Sequence, residues 1–408
     1  MMSALKYWLW LTRLPGLRNQ TRLLLLRHFG TPERVYFAEP PELSLVNGLD
    51  RQQAALLSDR SLDAAERVME RCQMLNIDLL TLQDANYPNR LRNIYDPPCL
   101  LYVRGHLPPL DEEIVISAVG TRKCTPYGVA CAERLGYGLA TGGAIVASGL
   151  ARGIDSAAIR GALLGGGVTV GVLGNGLDVV YPRENHTLYE DVAMTGALIS
   201  EYPPGTEPLP GNFPVRNRIL SGIAVGTLVV EAPLRSGALI TASRALEQGR
   251  DVFAVPGPID AYASQGCNRL IRDGASLVSD ASDMLEAYAV RFADKLRPSR
   301  EIPVMVQPPA PEPDAVRVAE PETVTEDEPE DAPLPVVSVS AGDVTLEQAQ
   351  ILRLMDPREP AYVDEIIDQS GLPARQVLAD LTMLQIEGYV REHDGKRYTR
   401  LAEARDES

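Results

Sequence analysis

Cysteine and histidine are scarce in this chain, at five and four of 408 residues. The cysteines (72, 99, 124, 131 and 267) form no CxxC pair and the histidines are scattered, so neither a structural disulfide nor a metal site is expected. Long apolar runs are missing as well. The run Leu23 to Leu26 is bracketed by Arg22 and Arg27, too short to span a membrane, and "YWLWLTRLPG" lacks a small-residue cleavage site. The expectation is a cytoplasmic protein with no membrane partner. Two phosphate signatures are absent too. Without G-x-x-x-x-G-K-[ST] there is no P-loop kinase or ATPase. Without G-x-G-x-x-G after the first strand and an acidic residue ending the second, dinucleotide binding is poorly supported. No Ser-His-Asp or Cys-His set exists, so no catalytic residue and no cofactor is assigned.

What is abundant is acid, with a formal net charge of −16. It is unevenly placed. Residues 301–343 hold 11 Asp or Glu against one Arg, a net of −10, which leaves −6 for the remainder. A polyanion responds to the local potential of a patch rather than to the chain total, so the sum does not exclude nucleic acid. The same segment is rich in Pro and Glu and nearly free of aromatics. It cannot bury enough apolar surface to offset its ordering entropy and reads as a flexible linker.

The linker, taken as 291–343, divides the chain. Residues 1–105 read as a helical domain of SAM or helix-hairpin-helix type. "PELSLVNGLDRQQAALLSD" and "SLDAAERVMERCQMLN" have helical spacing, Ser61 is placed as an N-cap, and "LPG" opens a helix in "LPGLRNQTRLLLLRHFG". The second glycine of a DNA-binding hairpin is missing there. Residues 106–290 alternate between β-rich runs ("IVISAV", "AIVAS", "VTVGVL", "ALISEY", "TLVVEA", "DVFAVPG", "SLVSD") and helical stretches. That alternation predicts an α/β fold, a parallel sheet with helices on both faces. Ligands of such sheets bind beyond the carboxyl ends of the strands.

The loops at those ends are glycine-rich or basic. Gly120-Thr121-Arg122 follow the first strand, with Thr125 and Pro126 as N-cap and first helical position. Ser148, Gly149 and Gly153 follow the second. Gly174, Gly176 and Arg183 lie in "GNGLDVVYPREN". Phe213, Arg216, Asn217 and Arg218 lie in "GNFPVRNRILSG", and Ser236 and Gly237 in "RSGALIT". Glycine-rich turns entering helices offer free N–H groups and a positive dipole end to phosphate, and arginine adds bidentate contacts. Several such loops on one sheet edge fit a strung-out polyanion better than one nucleotide. Asp155 and Glu231 are the most tempting carboxylates, but Asp155 sits where a helix N-cap belongs.

Phe213 taken alone reads as a ring sealing a helix start. Beside three glycine-rich loops it reads instead as a stacking platform. Arg216 and Arg218 point to different faces of a helix. Arg216 and Asn217, at the first turn, are assigned to phosphate, and Arg218 to structure.

"SGLARGIDSAAIRGAL", "GNGLDVVYP", "ISEYPPG", "FPVRNRILSG", "SGALITASRALEQGRDVFAVPG" and "GCNRLIRDGA" resemble, in colinear order, the DprA (Smf) family of bacterial DNA-processing proteins of natural transformation. The resemblance covers nearly all of 110–290. It implies an extended Rossmann-like sheet that binds single-stranded DNA without sequence preference, homodimerisation, protection of incoming strands and loading of RecA recombinase. Single-strand-binding protein is a further partner, and no enzymatic activity is implied. By the same resemblance Arg122 is a phosphate clamp, Ser148 and Gly149 belong to a binding loop, Arg183 replaces a usual Lys, and Phe213 stacks on a base. Two positions depart from the family pattern: Pro210 stands where relatives often have Lys, and Ile159 where they have His.

Residues 344–408 read as a winged helix. "TLEQAQILRLMD" has Thr345 as N-cap, "YVDEIIDQSG" and "PARQVLADLTMLQIEGYV" follow, and Asp394-Gly395 turns a hairpin. Arg375 and Gln376 near the start of the last helix are offset by Asp380, so duplex binding and protein contact are both open. Two other readings are a Rossmann-type nucleotide-processing enzyme, whose "PGGxGT" segment is absent, and a winged-helix transcription regulator.

Overall fold

The computed structural model describes residues 2–297 and, toward the C-terminus, 337–339, 345–356, 361–386, 389–393, 397–400 and 402–404. The chain forms two compact units, 1–310 and 311–408.

The first unit opens with six helices: α1 (Met2–Arg13), α2 (Asn19–Phe29), α3 (Pro32–Phe37), α4 (Pro40–Ser44), α5 (Arg51–Leu56) and α6 (Asp63–Met74). The stretch expected as one helical run over 41–59 is split. Gly48 turns at φ 89°, and Asp50 caps α5 by accepting from Gln53 N at 2.7 Å. Ser61 Oγ accepts from Asp63 N at 3.3 Å, one residue ahead of the cap position at Leu62.

The expected helical domain ends well before 105. Asn76 leaves helical space at φ 51°, and β1 (Asp78–Thr81) and, after the short α7 (Asn89–Arg92), β2 (Leu100–Gly105) join the sheet. The physical reason is β2 itself, where Leu100 and Tyr102 face one core and Leu101 and Val103 the other. A run buried on both faces carries no period-2 signal.

Seven further strands follow, each run expected from the sequence yielding one: β3 (Val115–Val119), β4 (Ile145–Ser148), β5 (Thr169–Leu173), β6 (Ala197–Ser200), β7 (Gly226–Val229), β8 (Asp251–Ala254) and β9 (Ser276–Leu277). The nine-stranded order is β1-β2-β6-β5-β4-β3-β7-β8-β9. Strands β3 to β9 are mutually parallel, while β2 pairs antiparallel with both β6 and β1. The chain steps outward from β3 to β6 and then returns to lay β7 on β3's other side, so the order reverses between β3 and β7.

Helices α8 (Pro126–Thr141), α9 (Ile154–Leu164) and α10 (His186–Thr195) cover one face and share its core with the front helices. Helices α11 (Asn212–Ile223), α12 (Gly237–Glu247) and α13 (Gln265–Arg272) cover the other, and α14 (Ala281–Leu285) returns to the first face. Two core clusters separated by one sheet are what a doubly covered parallel sheet requires.

In the second unit β10 (Val337–Val339) pairs parallel with β14 (Ala402–Ala404). The linker expectation therefore fails at 337–339, where alternating Val-Ser-Val suits a strand. Most of that segment, like the Asp394-Gly395 turn, lies outside the described residues. Helices α15 (Leu346–Leu354), α16 (Val363–Ser370) and α17 (Ala374–Ile386) and the sheet β11 (Ala361–Tyr362), β13 (Arg397–Arg400), β12 (Val390–His393) give a winged helix with its own core. Thr345 caps α15 in a box with Gln348, and Gln348 Nε2 donates to Asp380 at 3.4 Å.

Candidate nucleic-acid interface

The carboxyl ends of β3, β4, β5 and β7 open into a cleft of about 780 Å³ that straddles the reversal point. Arg122, Lys123, Arg216 and Arg235 line it, against one carboxylate, Asp155. The two flanking helices begin as their sequences dictate. Thr125 caps α8, accepting from Gly128 N at 3.2 Å, with Pro126 at the first helical position. Ser236 caps α12, accepting from Ala238 N at 3.3 Å.

The loop after β3 is held by Glu231, at the end of β7. Its backbone oxygen accepts from Thr121 N at 2.7 Å, and its carboxylate accepts from Thr125 N at 2.9 Å and Thr125 Oγ1 at 2.6 Å. Glu231 is therefore a brace, with both carboxylate oxygens occupied. Gly120 lies against Ile154, and Arg122 emerges exposed with no ion-pair partner among the described residues.

Arg122's guanidinium sits over the Phe213 ring, 5.3 Å from its centroid. Tyr181 lies against the same ring at 5.8 Å, tilted by 35°. Gly174 passes behind it, where a methyl group would come within 3.1 Å of the ring, and Gly174 O accepts from Asn212 Nδ2 at 2.9 Å. Gly174 thus makes room for Phe213, and its carbonyl holds Asn212 at the start of α11. Phe213 itself is half-buried on the rim, flanked by a cation and a second aromatic. Tyr181, 40% exposed, escaped sequence reasoning because a tyrosine before proline reads as a turn residue.

Two assigned residues are corrected. Ser148 is fully buried, and its hydroxyl donates to Ala118 O at 2.7 Å, tying β4 to β3. Arg216 is only 5% exposed, and its Nη1 donates to Val172 O in β5. The guanidinium fills the space above Gly149, where a Cβ would lie 2.6 Å from Arg216 Cζ. Gly149 is a glycine because Arg216 needs its volume. Arg216 forms the floor of the cleft, and its Nε has no acceptor among the described residues.

Asp155 lines the same cleft. It is the second residue of α9, not its cap: Gly153 takes the cap position at φ 79°, which a side chain would strain. Asp155 is buried and accepts from Gly149 N at 3.2 Å. Burial pushes its carboxyl above the ordinary range, opposed by the charge of Arg216 and by hydrogen bonds from the 148–151 loop. Burial likewise lowers Arg216, opposed by Asp155. Leu150, next to Gly149 in the chain, is held at φ 53°, a left-handed geometry costing about 1–2 kcal/mol. Complete burial of its side chain and a 2.9 Å bond from Asn185 Nδ2 to its carbonyl maintain that geometry.

The other assigned residues fall in two groups. Gly120, Thr121, Arg122, Phe213, Asn217, Ser236 and Gly237 line the cleft together. Arg183 is exposed at the start of a 3-10 turn (Arg183–Asn185) beyond the cleft lining. Arg218 is mostly buried, pairing with Glu201 at 2.8 Å and Asp96 at 3.2 Å.

Comparison with known proteins agrees with this architecture. The model of DNA recombination-mediator protein A matches residues 78–289, and that of the DprA winged helix domain matches 326–396. Protein Smf of Synechocystis sp. is 34% identical over 410 residues, spanning 98% of this chain and 99% of that protein. The chain belongs to the DNA recombination-mediator protein A family. DNA processing protein DprA of Streptococcus pneumoniae is 45% identical over 208 residues, covering 51% of this chain and 73% of that one. The structure of DNA processing protein A from that organism aligns with a TM-score of 0.56 and 36% identity, over 69% of this chain and 97% of the other. The mediator-protein model begins at 78, where β1 starts, so the family unit includes β1 and β2, which lie in the range read from the sequence as helical. Of the two departures from the family pattern, Pro210 lines the cleft and Ile159 is fully buried.

Proposed function

We propose that this chain binds single-stranded DNA without sequence preference in the cleft between β3 and β7, as a recombination mediator in natural transformation. The observation that carries the reading is the Arg122–Phe213–Tyr181 stack on the rim of a cleft lined by four cations and one carboxylate. A ring beside a free guanidinium offers a base a π-face and its phosphate a partner, and duplex bases are not available to such a ring. Arg183 extends the positive track outside the cleft. The buried Arg216 acts by charge rather than by direct contact, since little of it reaches solvent.

Labelled oligothymidylate titrated by fluorescence anisotropy tests this. Arg122→Ala should weaken binding and reduce the salt slope, by about 0.7 for each phosphate no longer neutralised. Phe213→Ala should cost a factor of about 5–150, the stacking energy of one base, with the slope unchanged. Isotherms of both variants that overlay the wild type would remove the model.

Delivery of the strand to RecA recombinase, action as a homodimer and encounter with single-strand-binding protein belong to the same proposal, supported by the family's description as a recombination mediator. RecA strand exchange on DNA coated with single-strand-binding protein, with and without this protein, measures the first. We assign no catalytic step. Glu231 is committed to the α8 cap and Asp155 to the Gly149 loop, which leaves neither free as a general base. Deleting residues 344–408 should leave single-strand binding intact, whereas a transcription regulator would lose its DNA affinity. A cytoplasmic site of action fits a DNA partner, and among the described residues no helix is long and apolar enough to cross a membrane.

A further inference from the structure

Phe213 and Tyr181 occupy one rim of the cleft; the opposite rim carries Tyr262, which is 68% exposed. The 3-10 turn that displays it (Tyr262–Ser264) is pinned at both ends. Asn268 brackets Gly257 upstream, accepting from its N–H at 3.2 Å and donating to its carbonyl at 3.0 Å. Tyr127 Oη donates to Pro256 O at 2.9 Å. Ser264 N donates to Ala261 O at 3.0 Å, and Ser264 itself is buried. A rigid loop therefore holds a large aromatic in water. Exposed Leu234 and Ile240 flank the same rim around Arg235, so the apolar surface is a patch rather than one stray ring.

Two observations extend the binding surface to this rim. A second hollow of about 480 Å³ adjoins the cleft through Arg235, Ser236, Gly237 and Ile240, so the concave surface continues past the start of α12. Nothing lies within 4 Å of where a Cβ on Gly237 would sit, leaving the backbone there open to a phosphate. Among the described residues, no acidic side chain lines the second hollow. The cleft floor beneath is Arg216, nineteen-twentieths buried, whose Nε has no hydrogen-bond partner among the described residues.

From this geometry we infer a second nucleotide seat, resting on the single-strand reading above. Tyr262 stacks a base, while Arg235 and the α12 N-terminus hold the phosphate beside it. Phe213 and Tyr262 then grip two different bases of one strand across the β3–β7 reversal, and the strand leaves over α12. The aromatic track needs no base-edge contact, in keeping with binding without sequence preference.

An abasic scan tests the seat: oligothymidylates with one base removed at successive positions, titrated against wild type, Phe213→Ala, Tyr262→Ala and Tyr262→Phe. Tyr262→Ala should weaken binding to the intact strand by a factor of about 5–150, and Tyr262→Phe should retain wild-type affinity. Wild type should show two sensitive positions, of which Phe213→Ala abolishes one and Tyr262→Ala the other. Arg235→Ala should flatten the salt slope by about 0.7. Wild-type affinity in Tyr262→Ala, or an abasic profile that this variant leaves unchanged, overturns the second seat. The outcomes separate the two claims. If Arg122→Ala and Phe213→Ala also bind as wild type, the single-strand cleft itself fails; if they weaken and Tyr262→Ala does not, only the second seat fails.

Discussion

Arg216→Ala distinguishes a guanidinium that supports the site from one that touches DNA. Arg216 and Asp155 are 5% and 7% exposed, so solvent screening is slight. Removing one member of a buried charge pair costs about 3–5 kcal/mol, and the lower end applies because no direct ion-pair contact joins them. A loss of about 3 kcal/mol lowers the melting temperature of a unit of this size, residues 1–310, by roughly 5 °C.

The loss must also depend on pH, with a definite sign. Burial raises Asp155 in the folded state while Arg216 and the loop hydrogen bonds pull it down, so deleting Arg216 raises it further. A carboxyl with a raised folded pKa binds its proton more tightly folded than unfolded, so stability is greatest in acid and falls as pH rises. That fall begins near the ordinary value of 3.8 and ends at the raised folded value, beyond which the curve is flat. The difference between wild type and Arg216→Ala should therefore be smallest in acid, where Asp155 is protonated in both, and widen by up to about 1.4 kcal/mol per pH unit between the wild-type folded value and the higher one of the variant. Urea denaturation at one acid and one neutral pH reads it. Adding Asp155→Asn should recover part of the neutral-pH loss. A deficit of equal size at both pH values, or no recovery by Asp155→Asn, would refute the pairing argument.

Gly149→Ala drives a methyl group into the Arg216 guanidinium and should destabilise by about 1–3 kcal/mol, measured by the same denaturation curves, with Arg216→Ala suppressing the defect. Thr125→Ala removes the α8 cap and one partner of Glu231, and should cost about 1–2 kcal/mol in thermal stability. Burial pushes the Cys99 and Cys267 thiols up to about 12 and Cys72 up to about 11, so all three should resist a thiol reagent at neutral pH in the native protein and react fully in denaturant.

Much of this was legible in the sequence, because the strand-ending loops carry local signals. Thr125-Pro126, Ser236 and the runs from "IVISAV" to "SLVSD" specify their elements by short-range rules, and a parallel sheet places its loops on one edge without further information. What sequence could not supply was which way a side chain turns. Arg216 and Phe213 sit three residues apart on α11, yet one is folded under Gly149 and the other stands on the rim. That choice depends on β4 and β5 more than 40 residues away, through Gly149 and Val172. Strand β2 was hidden for a related reason: burial on both faces erases its alternation. Tyr262 is the converse case, an aromatic in a loop of small residues, whose exposure becomes meaningful only once Arg235 is known to be beside it.

The bracing of the Arg122 loop by Glu231 has a mechanical consequence. On the proposed reading, a bound strand under tension would pull on Arg122 and so on the turn between β3 and α8. That turn is fastened to β7 by three bonds from one residue, two through the carboxylate and one through the main chain. Load passes into the centre of the sheet, where β7 is hydrogen-bonded on both sides, to β3 and to β8. A single charge contact gives way before those ladders shear. On that reading the strand would peel away nucleotide by nucleotide while the cleft keeps its shape.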